Sequence, residues 1–380
     1  MLHFIMNRDF FKKQLMITSK AIESKTTMPI LTGVKIELNN SELVLTGSNI
    51  DISIITGTEI KSKEADITTF EKGGIILNAN LLLKIISALP EETFEFEVED
   101  NHLVHITSGL ADYHLNGHDV DNFPRLPEII SETPLEISSK VFKQLIDETV
   151  FAVSKQESKP ILTGVHMTYD GKELTAVSTD SHRLSQRSIS IELSKDESQE
   201  LDIIIPGKSL LNISSIFGEE DQEIEIHLTS TQVLFIANGI FYYSRLLEGS
   251  YPDTSRLIPQ TSDTKITFYT QDILKAINRA SLMSHEGHNN IVKLDISKEK
   301  VLLSGNSQEI GKFDETLKVA DVHGNDLSIS FNPDYMKDAL KVFGSSMVEI
   351  EFTSAIRPFT LRPVEEEEKF IQLITPVRTA

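Results

Sequence analysis

The sequence predicts an α+β chain, strand-dominated and built as three copies of one unit, and three observations carry that prediction. The phrase PILTGV stands at Pro29–Val34 and again at Pro160–Val165, 131 positions later. At the same offset and without gaps, Lys35–Asp51 lies over His166–His182, each reading as a strand, a polar turn and a second strand. A third copy, Leu294–Ser307, lies over Ile36–Asn49 at an offset of 258, where the apolar alternation survives although identity does not. Repetition at a fixed long period implies a repeated structural unit.

The helices follow the same period. Asn7–Ile22, Ser139–Ser154 and Thr270–Ser284 carry apolar residues at i, i+3, i+4 and i+7. Each opens on an Asn, Ser or Thr suited to capping. A second set begins at Asn78, Gly207 and Asn332, and two of these end in Phe-Gly, an expected helix stop. Each unit therefore has two helices, and the rest reads as short alternating strands broken by Asn, Asp, Gly and Pro. A length of 380 residues suits three domains of about 125. The Pro-bearing stretches Asp121–Pro134 and Glu248–Asp263 are the expected seams, giving domains 1–127, 128–255 and 256–380.

Composition narrows the class. The absence of Cys removes disulfide and thiol chemistry and fits a reducing, cytoplasmic setting. The N-terminus lacks a signal-peptide layout, and no apolar run approaches a membrane span, so no membrane association is expected. The net charge of −21 is unevenly spread: the six helical segments hold twelve Lys or Arg against six Asp or Glu. Lysines on the solvated faces of helices would account for that by themselves. A basic helical surface beside an acidic strand surface would instead attract a polyanion to one face and repel it from the other.

Four motifs complete the pattern: DNFPRLP at Asp121–Pro127, STDSHRLS at Ser178–Ser185, LLEGSYPDTSRLIP at Leu246–Pro259, and the terminal TPVRTA at Thr375–Ala380. With the threefold repeat, they make the whole chain resemble the bacterial sliding-clamp family, the β subunit of DNA polymerase III. The resemblance implies three DNA-clamp domains per subunit, each with two helices and antiparallel sheets, closing as a head-to-tail dimeric ring. Twelve helices packed about 8–10 Å apart would line a hole of about 35 Å, wide enough for duplex DNA with a layer of water. Contacts to phosphate would then be loose, salt-dependent and sequence-blind, as sliding requires. The implied partners are double-stranded DNA, a second copy of the chain, the polymerase III α subunit, the clamp loader and other proteins bearing clamp-binding motifs.

The resemblance also implies three sites. A pocket for partner peptides maps onto Leu162, Thr179, His182, Arg183, Leu184, Pro252, Arg256, Leu257, Leu373, Pro376, Val377 and Arg378. Apolar walls would anchor a hydrophobic motif while His and Arg fix its polar end. Ser181 stands where the family often has glycine, and Thr379 and Ala380 extend past the terminal arginine. DNA contacts map onto Lys12, Lys20, Lys25, Lys155, Gln156, Lys159, Lys275 and Arg279. The dimer interface maps onto Tyr113 and Leu115 on one side, with Leu282 and Met283 on the other. Leu110 and Asp112 replace arginines that better-known members place at that joint.

Catalytic patterns are missing. In PGKS, Pro206–Ser209, the first glycine of a phosphate-binding loop would fall on Asp202, so the phrase reads as a strand entering a helix. His114 and His118 lie in a strand-like, Gly-containing segment, which argues against a helical metal pair. His285 and His288 sit in a Gly-containing loop, and Glu365–Glu368 read as a solvated hairpin tip. No catalytic residue, metal or cofactor is expected. Two other classes compete: a nucleotide hydrolase would have to show turnover, and a repeat adaptor that does not bind DNA would ignore circular DNA.

Overall fold

The computed structural model of the chain describes residues 2–126, 129, 134–191, 201–217, 221–286, 290–307, 311–365 and 369–378. Six α-helices are found among them: α1 (Arg8–Ser19), α2 (Ala79–Ala88), α3 (Ser139–Thr149), α4 (Gly207–Phe217), α5 (Thr270–Glu286) and α6 (Pro333–Val342). Asn7, Asn78 and Asn332 cap α1, α2 and α6, their side-chain oxygens accepting the N–H of Phe10, Leu81 and Asp334. Ser139 and Thr270 differ from expectation, because each is the first residue inside its helix. The position before α5 falls on Tyr269, whose hydroxyl is too remote to cap. At the other end of α6, Gly344 takes φ +61°, the left-handed stop expected after Phe343. Gly218, the matching glycine after α4, lies outside the described residues.

The repeat governs the strands. Gly33–Leu38, Glu42–Ser48 and Ile52–Glu59 recur 131 positions later as Gly164–Tyr169, Glu173–Thr179 and Arg183–Ser190. The third copy, Val292–Ile296, Val301–Ser307 and Gly311–Thr316, begins one residue beyond the 258 offset. The shared PILTG phrase has one physical reason in both places. Proline opens a 3-10 turn, leucine is buried, and the threonine hydroxyl donates back to the proline carbonyl at 2.8 Å (Thr32) and 2.6 Å (Thr163). The glycine then begins a strand packed too closely for a side chain. A Cβ on Gly33 would meet Ile76 Cγ2 at 2.5 Å, and one on Gly164 would meet Ile204 Cγ2 at 2.6 Å and the Ile205 carbonyl at 2.9 Å.

The chain forms two compact units, Met1–Val141 with Asn212–Leu246, and Phe142–Leu211 with Leu247–Ala380. The first unit holds two antiparallel sheets. One runs Thr68–Glu71, Leu2–Asn7, Thr93–Val98, Leu103–Ser108, Ala111–Asn116. The other has eight strands in the order Leu135–Ser138, Glu223–Leu228, Gln232–Ala237, Ile240–Arg245, Ile52–Glu59, Glu42–Ser48, Gly33–Leu38, Gly73–Asn78. Helices α1 and α2 cover a core that includes Phe4, Phe11, Phe94 and Phe96, with Phe4 stacked on Phe96 at 5.1 Å. Burying each such ring contributes about 1.5–3 kcal/mol.

The second unit is built alike. Its nine-stranded sheet runs Leu201–Pro206, Gly164–Tyr169, Glu173–Thr179, Arg183–Ser190, Phe370–Ile374, Phe359–Pro363, Met347–Phe352, Thr264–Tyr269, Asp321–Gly324. Its four-stranded sheet runs Gly311–Thr316, Val301–Ser307, Val292–Ile296, Leu327–Phe331. Helices α5 and α6 pack on a core containing Phe268, Phe331, Phe352 and Phe359. The second repeat is thus shared: four of its strands extend the first repeat's sheet and four extend the third's. Among the described residues, no helix is long and apolar enough to cross a membrane.

Candidate peptide-binding pocket

The twelve residues expected to form the pocket all fall in the second unit, where the second repeat's strand Arg183–Ser190 pairs with Phe370–Ile374. That register sets Leu184 opposite Leu373, and the two join Val177 in a small apolar cluster with Tyr251 and Ile258 packed against it. Leu162, Leu184, Leu373 and Pro376 are buried, while Pro252, Leu257 and Arg378 are exposed and Val377 is partly so. Half of the Leu257 surface is open to solvent, on a short 3-10 turn beside Arg256, which is held by Asp253 at 3.0 Å. The Val377 N–H donates to the Ser330 carbonyl at 2.7 Å, fixing the C-terminal segment against the third repeat.

The TDSHRL phrase forms a tight turn. Asp180 Oδ1 accepts the N–H groups of His182 and Arg183 at 2.9 and 3.0 Å, and the Thr179 hydroxyl donates to the Arg183 carbonyl at 2.6 Å. Ser181 takes φ +80°, which explains why glycine suits this position. Its hydroxyl lies 3.3 Å from Lys159 Nζ, so a lysine expected at DNA sits beside the pocket turn.

Arg183 is bound up within the unit. Its guanidinium donates to Asp180 at 3.0 Å, Asp338 at 3.0 Å and the Phe151 carbonyl at 2.8 Å, and it lies over the rings of Phe151 and Tyr335. It therefore braces α6 against the turn, and the exposed His182, stacked on Tyr335 at 6.1 Å, is the polar group nearer solvent.

Tyr251 is not among the residues expected at the pocket, yet it packs against the apolar cluster of Val177, Leu184 and Leu373. Its hydroxyl accepts the Thr179 N–H at 3.1 Å, its ring stacks on His166 at 4.9 Å, and burial pushes its phenol well above the usual range. The available signal is a shared aromatic-Pro pair near the end of each repeat: Tyr251-Pro252 follows Phe123-Pro124 by 128 positions, three short of the repeat offset, and Phe123 packs with Leu31 in the first.

The remaining candidates scatter. Lys25, Lys155, Gln156 and Lys275 are exposed, whereas Lys12 is partly buried and its neighbour Lys13 is open. Lys20, at the end of α1, donates to the Ser215 hydroxyl of α4 at 2.7 Å. Arg279 clasps Glu315 through Nε at 2.9 Å and Nη2 at 2.5 Å, and this ion pair holds the Glu315 carboxyl below its usual range. On the strand Ala111–Asn116, Tyr113 and Leu115 pack against the first core, while Leu282 on α5 is two-thirds exposed. Met283 is partly buried near Gly305. His118 bridges to Ile76, and His285 pairs with Asp334 at 2.9 Å. His288, Glu366–Glu368, Thr379 and Ala380 lie outside the described residues. PGKS is, as expected, the end of a strand entering α4.

Comparison with known proteins places this arrangement. Three family models match end to end: the N-terminal domain of the DNA polymerase III beta subunit over residues 2–127, the central domain over 136–253 and the C-terminal domain over 255–378. A beta sliding clamp of Streptococcus pneumoniae strain R6 is 44% identical over 381 residues, covering 100% of both chains. The crystal structure of the DNA polymerase III beta chain of Streptococcus pneumoniae TIGR4 superposes with a TM-score of 0.97 at 43% identity, covering 100% of each chain. The Bacillus subtilis DNA polymerase sliding clamp gives 0.96 at 42% identity, again over 100% of both. This chain belongs to the beta sliding clamp family, the β subunits of DNA polymerase III.

Proposed function

We propose that two copies of this chain close head to tail around duplex DNA, and that the ring tethers the replicative polymerase without performing chemistry itself. As a member of a non-catalytic family, the chain is a DNA sliding clamp that confers processivity. The observation that carries the ring reading is a pair of open sheet edges. Ala111–Asn116 in the first unit and Gly311–Thr316 in the second are six-residue edge strands, and no backbone partner lies on their outer side among the described residues. Both alternate half-buried with exposed positions, with Tyr113 and Leu115 on one and Phe313 on the other. Open edges invite strand addition, two different edges joined head to tail form a heterologous contact, and such a contact closes after two subunits when each contributes three equal arcs of the ring.

The finer assignments belong to the same proposal. Domains run 1–127, 128–255 and 256–380, and the setting is cytoplasmic. The pocket around Leu184, Leu373 and Tyr251 receives short motifs of the α subunit, the clamp loader and other partners. Lys12, Lys20, Lys25, Lys155, Gln156, Lys159, Lys275 and Arg279 contribute positive charge toward DNA. An adaptor indifferent to DNA has no support among the relatives.

The test is primer extension on a primed circular template, with a loader and replicative polymerase from a close relative. The chain should lengthen products more than tenfold at limiting polymerase. Leu257→Lys, exposed at the pocket rim, should abolish that gain while leaving the chain on DNA. Equal product lengths with and without the chain would refute the reading.

A further inference from the structure

The outward face of the first sheet carries a group of titratable side chains beside the edge strand Ala111–Asn116. Strands Leu103–Ser108 and Ala111–Asn116 pair with His105 opposite His114 and Thr107 opposite Asp112. Val104 and Ile106 are buried, and Tyr113 and Leu115 pack on the core. Strand alternation therefore sends His105, Asp112 and His114 together to the other face. There the two imidazoles meet edge to face at 4.1 Å, and His114 Nε2 lies 3.1 Å from Asp112 Oδ2. One ligand atom from each of the three residues lies within 4.8 Å of the others. Glu99 Oε1 stands 3.1 Å from His105 Nε2, bringing a second carboxylate to the rim.

Imidazole nitrogens and carboxylate oxygens are what a zinc-class ion takes, at about 2.0–2.2 Å each, which sets ligand atoms about 3.3 Å apart in a tetrahedron. The observed spacing needs only a small inward turn of His114 and Asp112, whose side chains are about half exposed. Paired histidine and carboxylate are common elsewhere in the chain, as in His166–Asp202, His285–Asp334 and His323–Asp321, but each has a single imidazole. Among the described residues, only this group brings three ligating side chains together. His105 and His114 are nine positions apart in sequence and meet only through strand register, so sequence spacing gives no hint of them.

We propose that His105, His114 and Asp112 bind a divalent transition-metal ion of the zinc class, which ties the open edge strand Ala111–Asn116 to its neighbour. The site uses residues of the first unit alone and stands independently of the ring reading.

Zn²⁺ alone, titrated calorimetrically into the full chain, tests it. The wild type should bind one equivalent, and His114→Gln and Asp112→Asn should each weaken that binding about tenfold or more. His323→Gln, at an isolated pair, should not. Circular dichroism of each variant establishes that it is folded. Co²⁺ should give a visible tetrahedral band with the wild type that both site variants lose. Undiminished Zn²⁺ binding in folded His114→Gln and Asp112→Asn, or no saturable binding by the wild type, would overturn the proposal.

Discussion

At the scale of single residues, Ser181 is the clearest case of a side chain out of place. At φ +80° a non-glycine residue carries a penalty of about 1 kcal/mol, and the hydroxyl recovers little through its 3.3 Å contact with an exposed lysine. Ser181→Gly should therefore raise unfolding free energy by about 0.5–1 kcal/mol in urea titration, the higher chain entropy of glycine offsetting part of the relief. A loss of stability would mean the Lys159 contact matters more than the backbone. The sequence carried the identity of this position but not its conformation, since αL geometry is set by the Asx turn of Asp180. The same limit applies to Arg183. In the sequence TDSHRL offers Arg183 only as a pocket residue, and the approach of Asp338, 155 positions away, is what reveals its bracing role.

At the scale of elements, α5 and the strand Gly311–Thr316 are joined by Arg279 and Glu315. Because that pair holds the folded-state Glu315 carboxyl below its ordinary 4.5, its contribution is present above about pH 4.5 and is lost as pH falls through the lower folded value. Wild-type stability should thus fall more steeply than that of Glu315→Gln below pH 4.5, with the two curves parallel above it, in denaturant titrations across pH. Leu282 makes a separate prediction. Being 66% exposed, it should tolerate Lys within about 0.5 kcal/mol of monomer stability. The same change should shift analytical ultracentrifugation from dimer to monomer. An unchanged dimer would remove Leu282 from the interface.

The elements themselves were largely legible. Gly33, Thr32 and Leu31 recur as Gly164, Thr163 and Leu162 because the same turn, burial and close strand approach are built twice, so identical residues reported identical structure. Where the third copy diverges, the strands start one residue late, and α5, at 17 residues, outruns α1 at 12. The helix lysines were less legible, since periodicity identifies the buried stripe but leaves several outer faces. Lys12 proved partly buried, and Arg279 is engaged by a strand that no local pattern connects to it.

At the scale of the whole molecule, the excess of acid over base is no obstacle to holding DNA if retention comes from closure rather than affinity. Basic side chains on helices need only weak, salt-screened attraction to phosphate, and a site with stronger contacts would hinder movement along the duplex. The most direct test loads the chain with a clamp loader onto nicked circular plasmid, isolates the complexes at high salt, and then linearises the DNA with a restriction enzyme. Closure predicts that the protein stays on the circle through high salt and runs off once the circle is cut. Release by salt from the intact circle, or retention on the linear form, would contradict it.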